Sequence, residues 1–272
     1  MSPRLRVRLP GRQRPDAPPG KPVDPEPPLP PLPPLPSPVP DPRPLPLLHA
    51  AHPRQAVVTA LVLATAAALS GRATREVLLV LGTVLIGQAV LGWHNDVVDR
   101  ERDLRAQRPG KPVAAGRLDP GTVWFALTCA VLLLVPMSLS NGLAAGVAYL
   151  ASVAVAVVGN VALRGGWLSW LPWAASYGLY PAFLSYGGWG GAATGRPPEI
   201  SITVLAALLG VCVHVLRALP GLVPDNREGL RHLPLRIALR TGAPRLLWLS
   251  IGATTVVSLA LLVEAGRVGL GQ

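Results

Sequence analysis

The sequence predicts an all-α, polytopic membrane helix bundle, and three observations carry that prediction. Half of the 272 residues are hydrophobic and only 14% are charged, against about 25% charged in a soluble domain. The charges are confined to short segments, and the stretches between them approach the roughly 20 apolar residues that cross a bilayer as a helix. Those stretches are continuous rather than alternating, which argues against a membrane β-barrel.

Residues 1–50 read as a proline-rich, disordered cytosolic tail and residues 51–272 as the transmembrane domain. Segment 27–46 is PPLPPLPPLPSPVPDPRPLP. Proline fixes φ and removes the amide donor, so this segment favours extended polyproline II and builds no core. Prolines also follow the basic N-terminus where a secretory apolar region would stand, so no signal peptide is expected.

The apolar pattern places about seven spans, near 55–70, 77–95, 122–139, 142–162, 168–188, 201–219 and 245–264. Gly142 and Gly146 form a small-xxx-small pair suited to close packing. Trp167, Trp170, Trp173 and Trp189 flank the fifth span as interfacial anchors. Cys129 and Cys212 stand alone in apolar stretches and read as buried thiols rather than a disulfide or metal site. The net charge of +11 raises nucleic acid as a partner, but the basic residues cluster in alternate loops. With the N-terminus inside, 21 of the 25 Lys and Arg residues fall on the inner side. That is the signature of membrane orientation with a cytosolic N-terminus in the cell membrane, and no nucleic-acid partner is expected.

Both large charged loops then share one face. The first follows the second span: Asn95-Asp96-Val97-Val98-Asp99-Arg100-Glu101-Arg102-Asp103. Asn95, Asp99 and Asp103 recur at i, i+4 and i+8, on one helix face. Three oxygen-bearing side chains so placed can hold a hard divalent cation such as Mg²⁺, which grips phosphate. Asp96 points about 100° away and reads as a supporting partner. Arg108 and Lys111 follow and add cations for an anionic ligand.

The second charged loop follows the sixth span. Arg217, Gly221 and Asp225 repeat the spacing of 95, 99 and 103. This is a degenerate second acidic site, with Asp225 its remaining metal oxygen and Glu228 or Asn226 in support. Segment 227–245, REGLRHLPLRIALRTGAPR, interleaves leucines with arginines and His232, and reads as an amphipathic element on the anionic inner leaflet. His94 and His214, at span ends, read as packing or hydrogen-bonding residues.

The compound motif Asn95-Asp96-x-x-Asp99-x-x-x-Asp103, followed by Arg108-Pro109-x-Lys111-Pro112 and Gly116, resembles the UbiA superfamily of intramembrane prenyltransferases. The similarity covers roughly residues 54–265. It implies a helix bundle around a central cavity open to cytosol and lipid, with two acidic motifs facing each other and binding Mg²⁺ with a prenyl diphosphate. By that resemblance Asn95, Asp99, Asp103 and Asp225 hold metal, with the three aspartates catalytic, while Arg102, Arg108 and Lys111 bind the diphosphate.

The implied activity is Mg²⁺-dependent transfer of a prenyl group from its diphosphate to an aromatic or other small acceptor. Its partners are the prenyl diphosphate donor, an unidentified acceptor and the lipid bilayer. The chain departs from the family at Gly221, where an acid is usual, and in its seven spans against the family's usual nine or so. Those departures keep a second class open: a catalytically degenerate relative that binds or carries an isoprenoid-like lipid. A secondary transporter, which would show related halves with interrupted helices, ranks last.

Overall fold

A computed structural model of the chain describes residues 45–108, 110–188 and 196–268. Most of the proline-rich segment, together with Pro109 and Trp189, lies outside the described residues. Among those described, every regular element is helical. Two short steps open the fold, α1 (Pro46–Ala50) and α2 (Pro53–Leu69). Each starts with proline in the first helical turn, where the missing N–H costs nothing. Although α1 falls in the segment read as tail, Ala50 is fully buried, and Trp93 Nε1 donates to Leu47 O at 2.8 Å.

The long helices follow as α3 (Thr74–Val98), α5 (Pro120–Leu139), α6 (Leu143–Ala162), α9 (Ile200–Ala218) and α12 (Ala243–Val268). Between them lie α4 (Arg100–Arg105), α7 (Leu171–Gly178), α8 (Tyr180–Ser185), α10 (Leu222–Arg227) and α11 (Leu233–Thr241). Five segments are long and apolar enough to cross a membrane: α3, α5, α6, the run from α9 through Arg227, and α12. The other two expected spans differ. Pro53–Leu69 is apolar but shorter. The stretch expected at 168–188 is divided into a 3-10 turn at Trp167–Trp170, α7 and α8. Pro181 accounts for the second break, since it lacks an N–H and its ring would strike the carbonyl four residues back.

Neighbouring helices run α2 to α3 to α5 to α6, then α7 and α8, then α9. Contacts between α2 and α8 close the circuit, and α12 packs against α9. The core lies between α3, α5, α6 and α8, around Val80, Val84, Leu134, Tyr149 and Phe183. Tyr149 fits because α3 carries Gly87: a Cβ there would stand 2.2 Å from the Tyr149 hydroxyl. Large apolar side chains such as Phe125, Leu132 and Trp248 point outward and are about 70% exposed (72%, 70% and 72%). Lipid, rather than a partner helix, solvates such a surface. Cys129 is on it too and is exposed, not buried as its apolar neighbours implied.

Glycines set the closest helix approaches. Gly146 lies against the end of α5, with Ser138 O 2.5 Å from where a Cβ would sit. Its sequence partner Gly142 instead makes the turn, at φ +115°. Gly92 of α3 passes directly beside the α1–α2 junction, where a Cβ would lie 2.6 Å from the Ala51 carbonyl. Backbone cannot move aside cheaply, and overpacking of this kind costs about 1–3 kcal/mol. Gly92→Ala is therefore expected to lower the thermal midpoint of the detergent-solubilised protein. Gly252→Ala, with nothing within 4 Å of the new methyl, is expected to cause no loss. Equal midpoints for the two variants would contradict the packing described.

Candidate active site

The charged end of the bundle is built from two turns of the same design. In the first, Asp99 sits between α3 and α4, yet the helical ladder continues across it. Asp99 N–H donates to Asn95 O at 3.0 Å and Asp103 N–H to Asp99 O at 2.8 Å. Asn95, Asp99 and Asp103 thus keep their helical register. The chain then closes in a Schellman motif. Gln107, at φ +48°, donates to Leu104 O at 3.1 Å, and Arg108 N–H donates to Asp103 O at 3.0 Å. This folds Arg108 back over the acids. The second turn repeats the pattern with Gly229 at φ +73°: its N–H reaches Asn226 O at 3.1 Å, and Leu230 N–H reaches Asp225 O at 3.0 Å. Asp103 and Asp225 occupy the same position in the two turns.

Lys111 gathers the first loop. Its Nζ lies 3.3 Å from Asp96 Oδ1 and 3.4 Å from Asp103 Oδ2. With the Asn95 amide turned to satisfy its neighbours, Lys111 donates to Asn95 Oδ1 at 2.9 Å, and Asn95 Nδ2 donates to Asp99 Oδ2 (3.1 Å) and Asn160 Oδ1 (3.2 Å). Asp96 is buried and also accepts from Val113 N–H at 3.3 Å, the supporting position expected for it. Asp99 pairs with Arg164, which stands between α6 and α7.

The second loop reaches across to the first through Asp225. Its carboxylate pairs with Arg102, accepts from Arg108 Nη2 at 2.6 Å, and faces His232 Nε2 at 3.0 Å. His232 Nδ1 accepts from Leu235 N–H at 3.2 Å. The ring proton is therefore on Nε2, which donates to Asp225 Oδ2. Arg102 also donates to Glu228 Oε2 at 2.5 Å. At Gly221 an added Cβ would stand 3.0 Å from Asp225 Oδ2 and 3.4 Å from Arg108 Nη2, so that position adjoins the Asp225 cluster.

A cavity of about 500 Å³ opens beneath these groups. Asn95, Asp99, Arg102, Arg108, Lys111 and Asp225 line its charged end. Asp103 is only 1% exposed and lies behind Arg108 and Lys111. Gln55, Gln88, Trp173, Tyr177, Tyr180 and Arg217 line the remainder. Trp173 is thus a cavity wall, not an interfacial anchor. His214 also lines the cavity and bonds Ser169 Oγ at 3.1 Å.

The sequence model of the UbiA prenyltransferase family matches residues 56–271. The chain belongs to that family. No curated protein sequence matches it significantly, but solved structures share the UbiA fold. A UbiA homolog from Archaeoglobus fulgidus bound to GPP and Mg²⁺ superposes with a TM-score of 0.61 at 16% identity, covering 79% of this chain and 76% of that one. The same homolog bound to DMAPP and Mg²⁺ gives 0.61 at 17% identity, covering 82% and 80%. A digeranylgeranylglyceryl phosphate synthase gives 0.53 at 16% identity, covering 80% and 77%. At such identities the likeness establishes the fold, and with the five apolar helices it makes the chain a multi-pass membrane protein.

The structure therefore brings all seven candidate residues to one end of the UbiA bundle, six on the cavity wall and Asp103 behind it. The sequence reading missed Arg164 and Asn160, which lie far from either motif in the chain. It also placed His232 on an amphipathic surface, whereas this residue is 4% exposed. In the rest of α11, Pro234 and Leu235 are buried while Arg236, Leu239 and Arg240 are exposed. His52 was missed as well. It lines the cavity at φ +52°, and burial, then the charges of Lys111 and Arg217, push its imidazole down to about 4.

Between pH 6.5 and about 4 the unfolded chain holds a proton at His52 that the folded chain does not, so stability falls as pH drops through that window. His52→Asn keeps a residue that tolerates the left-handed backbone and removes the titration. Measured as thermal midpoint against pH, this variant is expected to lose less stability than wild type between pH 6.5 and 4. Parallel curves would refute the assignment.

Proposed function

We propose that the protein is a Mg²⁺-dependent prenyltransferase that moves a prenyl group from its diphosphate to an aromatic or other small acceptor. The observation that carries the reading is the juxtaposition, at one cavity mouth, of hard oxygen donors with Arg102, Arg108 and Lys111. The same neighbourhood suits Mg²⁺. Both Asp103 oxygens are buried without a hydrogen bond, and Arg108 and Lys111 stand off from them at 3.5 and 3.4 Å. Among the described residues no three His, Cys, Asp or Glu side chains converge on one point. Mg²⁺ does not require that, since it commonly takes one or two carboxylates and completes its shell with water and substrate phosphate.

On this reading Asn95, Asp99, Asp103 and Asp225 hold the metal, and Asp99, Asp103 and Asp225 are the catalytic acids. Bound Mg²⁺ supplies charge stabilisation to the diphosphate oxygens. Arg102, Arg108 and Lys111 bind the same group and neutralise the charge that develops as it leaves. The allylic C–O bond breaks with its electron pair going to the diphosphate; the acceptor then bonds to that carbon and releases a proton. The aromatic walls at Trp173, Tyr177 and Tyr180 limit the water that would intercept the cation. The basic bias of the charged end supports placing it, and the N-terminus, on the cytosolic side.

Equilibrium binding of a labelled prenyl diphosphate to the detergent-purified protein tests the donor site. Binding is expected to require Mg²⁺, to reverse with EDTA, and to fall at least tenfold in Asp99→Asn and Asp103→Asn. Full binding in both folded variants would sink the site assignment.

One observation favours the second reading, a non-catalytic isoprenoid binder: Asp225 is already held by Arg102, Arg108 and His232, and Gly221 supplies no acid beside it. Gly221→Asp separates the two. If the protein is an enzyme limited by its second loop, this variant raises turnover. Intact lipid binding with no turnover in either form selects the carrier.

A further inference from the structure

A second concavity, of about 460 Å³, lies at the same charged end. It forms where the end of α3 and α4 meet the start of α5 and the loop after α10. Arg102, Arg164 and Leu230 line both this groove and the donor cavity. Arg102 and Arg164 are already committed, to Asp225 and Asp99. Arg100 and Arg105 are not. They line the groove and not the donor cavity, and among the described residues neither is held in an ion pair. Glu228 is taken by Arg102, which leaves Glu101 as the uncommitted acid on the groove wall. Two unpaired guanidinium groups against one carboxylate leave a single positive charge to be met.

The other half of the groove is apolar and faces lipid. There Val98 is 39% and Trp124 47% exposed. Trp124, Thr128, Val131 and Val135 recur at i, i+4, i+7 and i+11, so they share one face of α5, and all four are exposed. That face leads from the groove along a membrane helix, the course an acyl chain takes. A tryptophan near the start of a span marks the level of the head groups. Basic pockets between membrane helices recruit anionic head groups, and the arginine fork matches phosphate oxygens. A free anion would use the guanidinium groups but not the apolar half.

We propose that this groove binds one anionic phospholipid of the surrounding leaflet. Arg100 and Arg105 take its phosphate, and an acyl chain lies over Trp124 along α5. The site is separate from the donor site and stands whether or not the protein transfers prenyl groups.

The experiment is native mass spectrometry of the full-length protein in detergent, titrated with phosphatidylglycerol or with phosphatidylcholine of the same acyl chains. One phosphatidylglycerol molecule is expected to bind at least tenfold more tightly than phosphatidylcholine. Arg100→Gln combined with Arg105→Gln is expected to cut that preference below threefold, and the corresponding pair of lysines to retain part of it. Arg236→Gln combined with Arg240→Gln removes the same charge from α11 and is expected to leave the preference within twofold. Trp124→Ala is expected to weaken both lipids by a similar factor, because it acts on the acyl chain.

Equal binding of the two lipids to wild type would overturn the proposal. An equal loss in the α11 pair would do so too, by reducing the effect to net charge. Glycerol phosphate or inorganic diphosphate bound as tightly as phosphatidylglycerol would assign the groove to a free phosphate. Binding of labelled prenyl diphosphate with Mg²⁺ is read separately and is expected to stay within twofold when Arg100 and Arg105 are replaced; a parallel loss there would make them part of the donor site instead.

Discussion

The buried carboxylate of Asp225 is the constraint on which the cavity mouth depends. A carboxylate in this setting, left alone, would cost several kcal/mol. It is met by Arg102 and Arg108 from the first charged loop and by His232 from the start of α11. Segments more than a hundred residues apart are thereby tied at one point. The same tie aims the two arginines, and through Arg108 it reaches Asp103 and then Lys111. Remove Asp225 and two guanidinium groups lose the anchor that holds them at the cavity mouth. The charged end is a single network, and substitutions within it will not act additively.

Local chain geometry makes that network possible. Both charged turns close with the same Schellman arrangement, which returns the chain immediately after the acid. In the first turn Gln107 takes the left-handed position usually given to glycine, and in the second Gly229 takes it. The two turns therefore share a backbone geometry but differ in their side chains: Asn95 and Asp99 on one side, Arg217 and Gly221 on the other.

Much of this was legible in the sequence, because the signals were local. The long helices follow from continuous apolar runs, and the register of Asn95, Asp99 and Asp103 follows from helical spacing that survives the break at Asp99. The spacing of 217, 221 and 225 matched that of 95, 99 and 103, and the two turns close with the same hydrogen bonds. What could not be read was long-range or local in a different sense. Arg164 and Asn160 meet Asp99 and Asn95 only through packing of α6 against α3. His232 looked like one polar residue on an amphipathic element, because nothing in a leucine–arginine pattern reveals that a residue caps a helix and bonds a carboxylate seven positions earlier. The fifth span looked continuous by hydropathy, although Pro181 carried the signal for its division. Trp173 was read by residue type as an anchor, and only the path of α7 turns it inward.

The asymmetry between the turns has a physical consequence for the cavity as a whole. At the first turn acids and cations are close to balance. At the second turn Gly221 carries no charge and Arg217 a positive one, which shifts the balance towards positive charge. In the core, Tyr149, Tyr180 and Phe183 pack together, with Tyr149–Phe183 ring centroids 4.8 Å apart, and Gln88 bonds Tyr180 at 3.4 Å. The cavity wall itself joins the cations of its charged end to the aromatic side chains of Trp173, Tyr177 and Tyr180, which gives it a polar end and an aromatic flank.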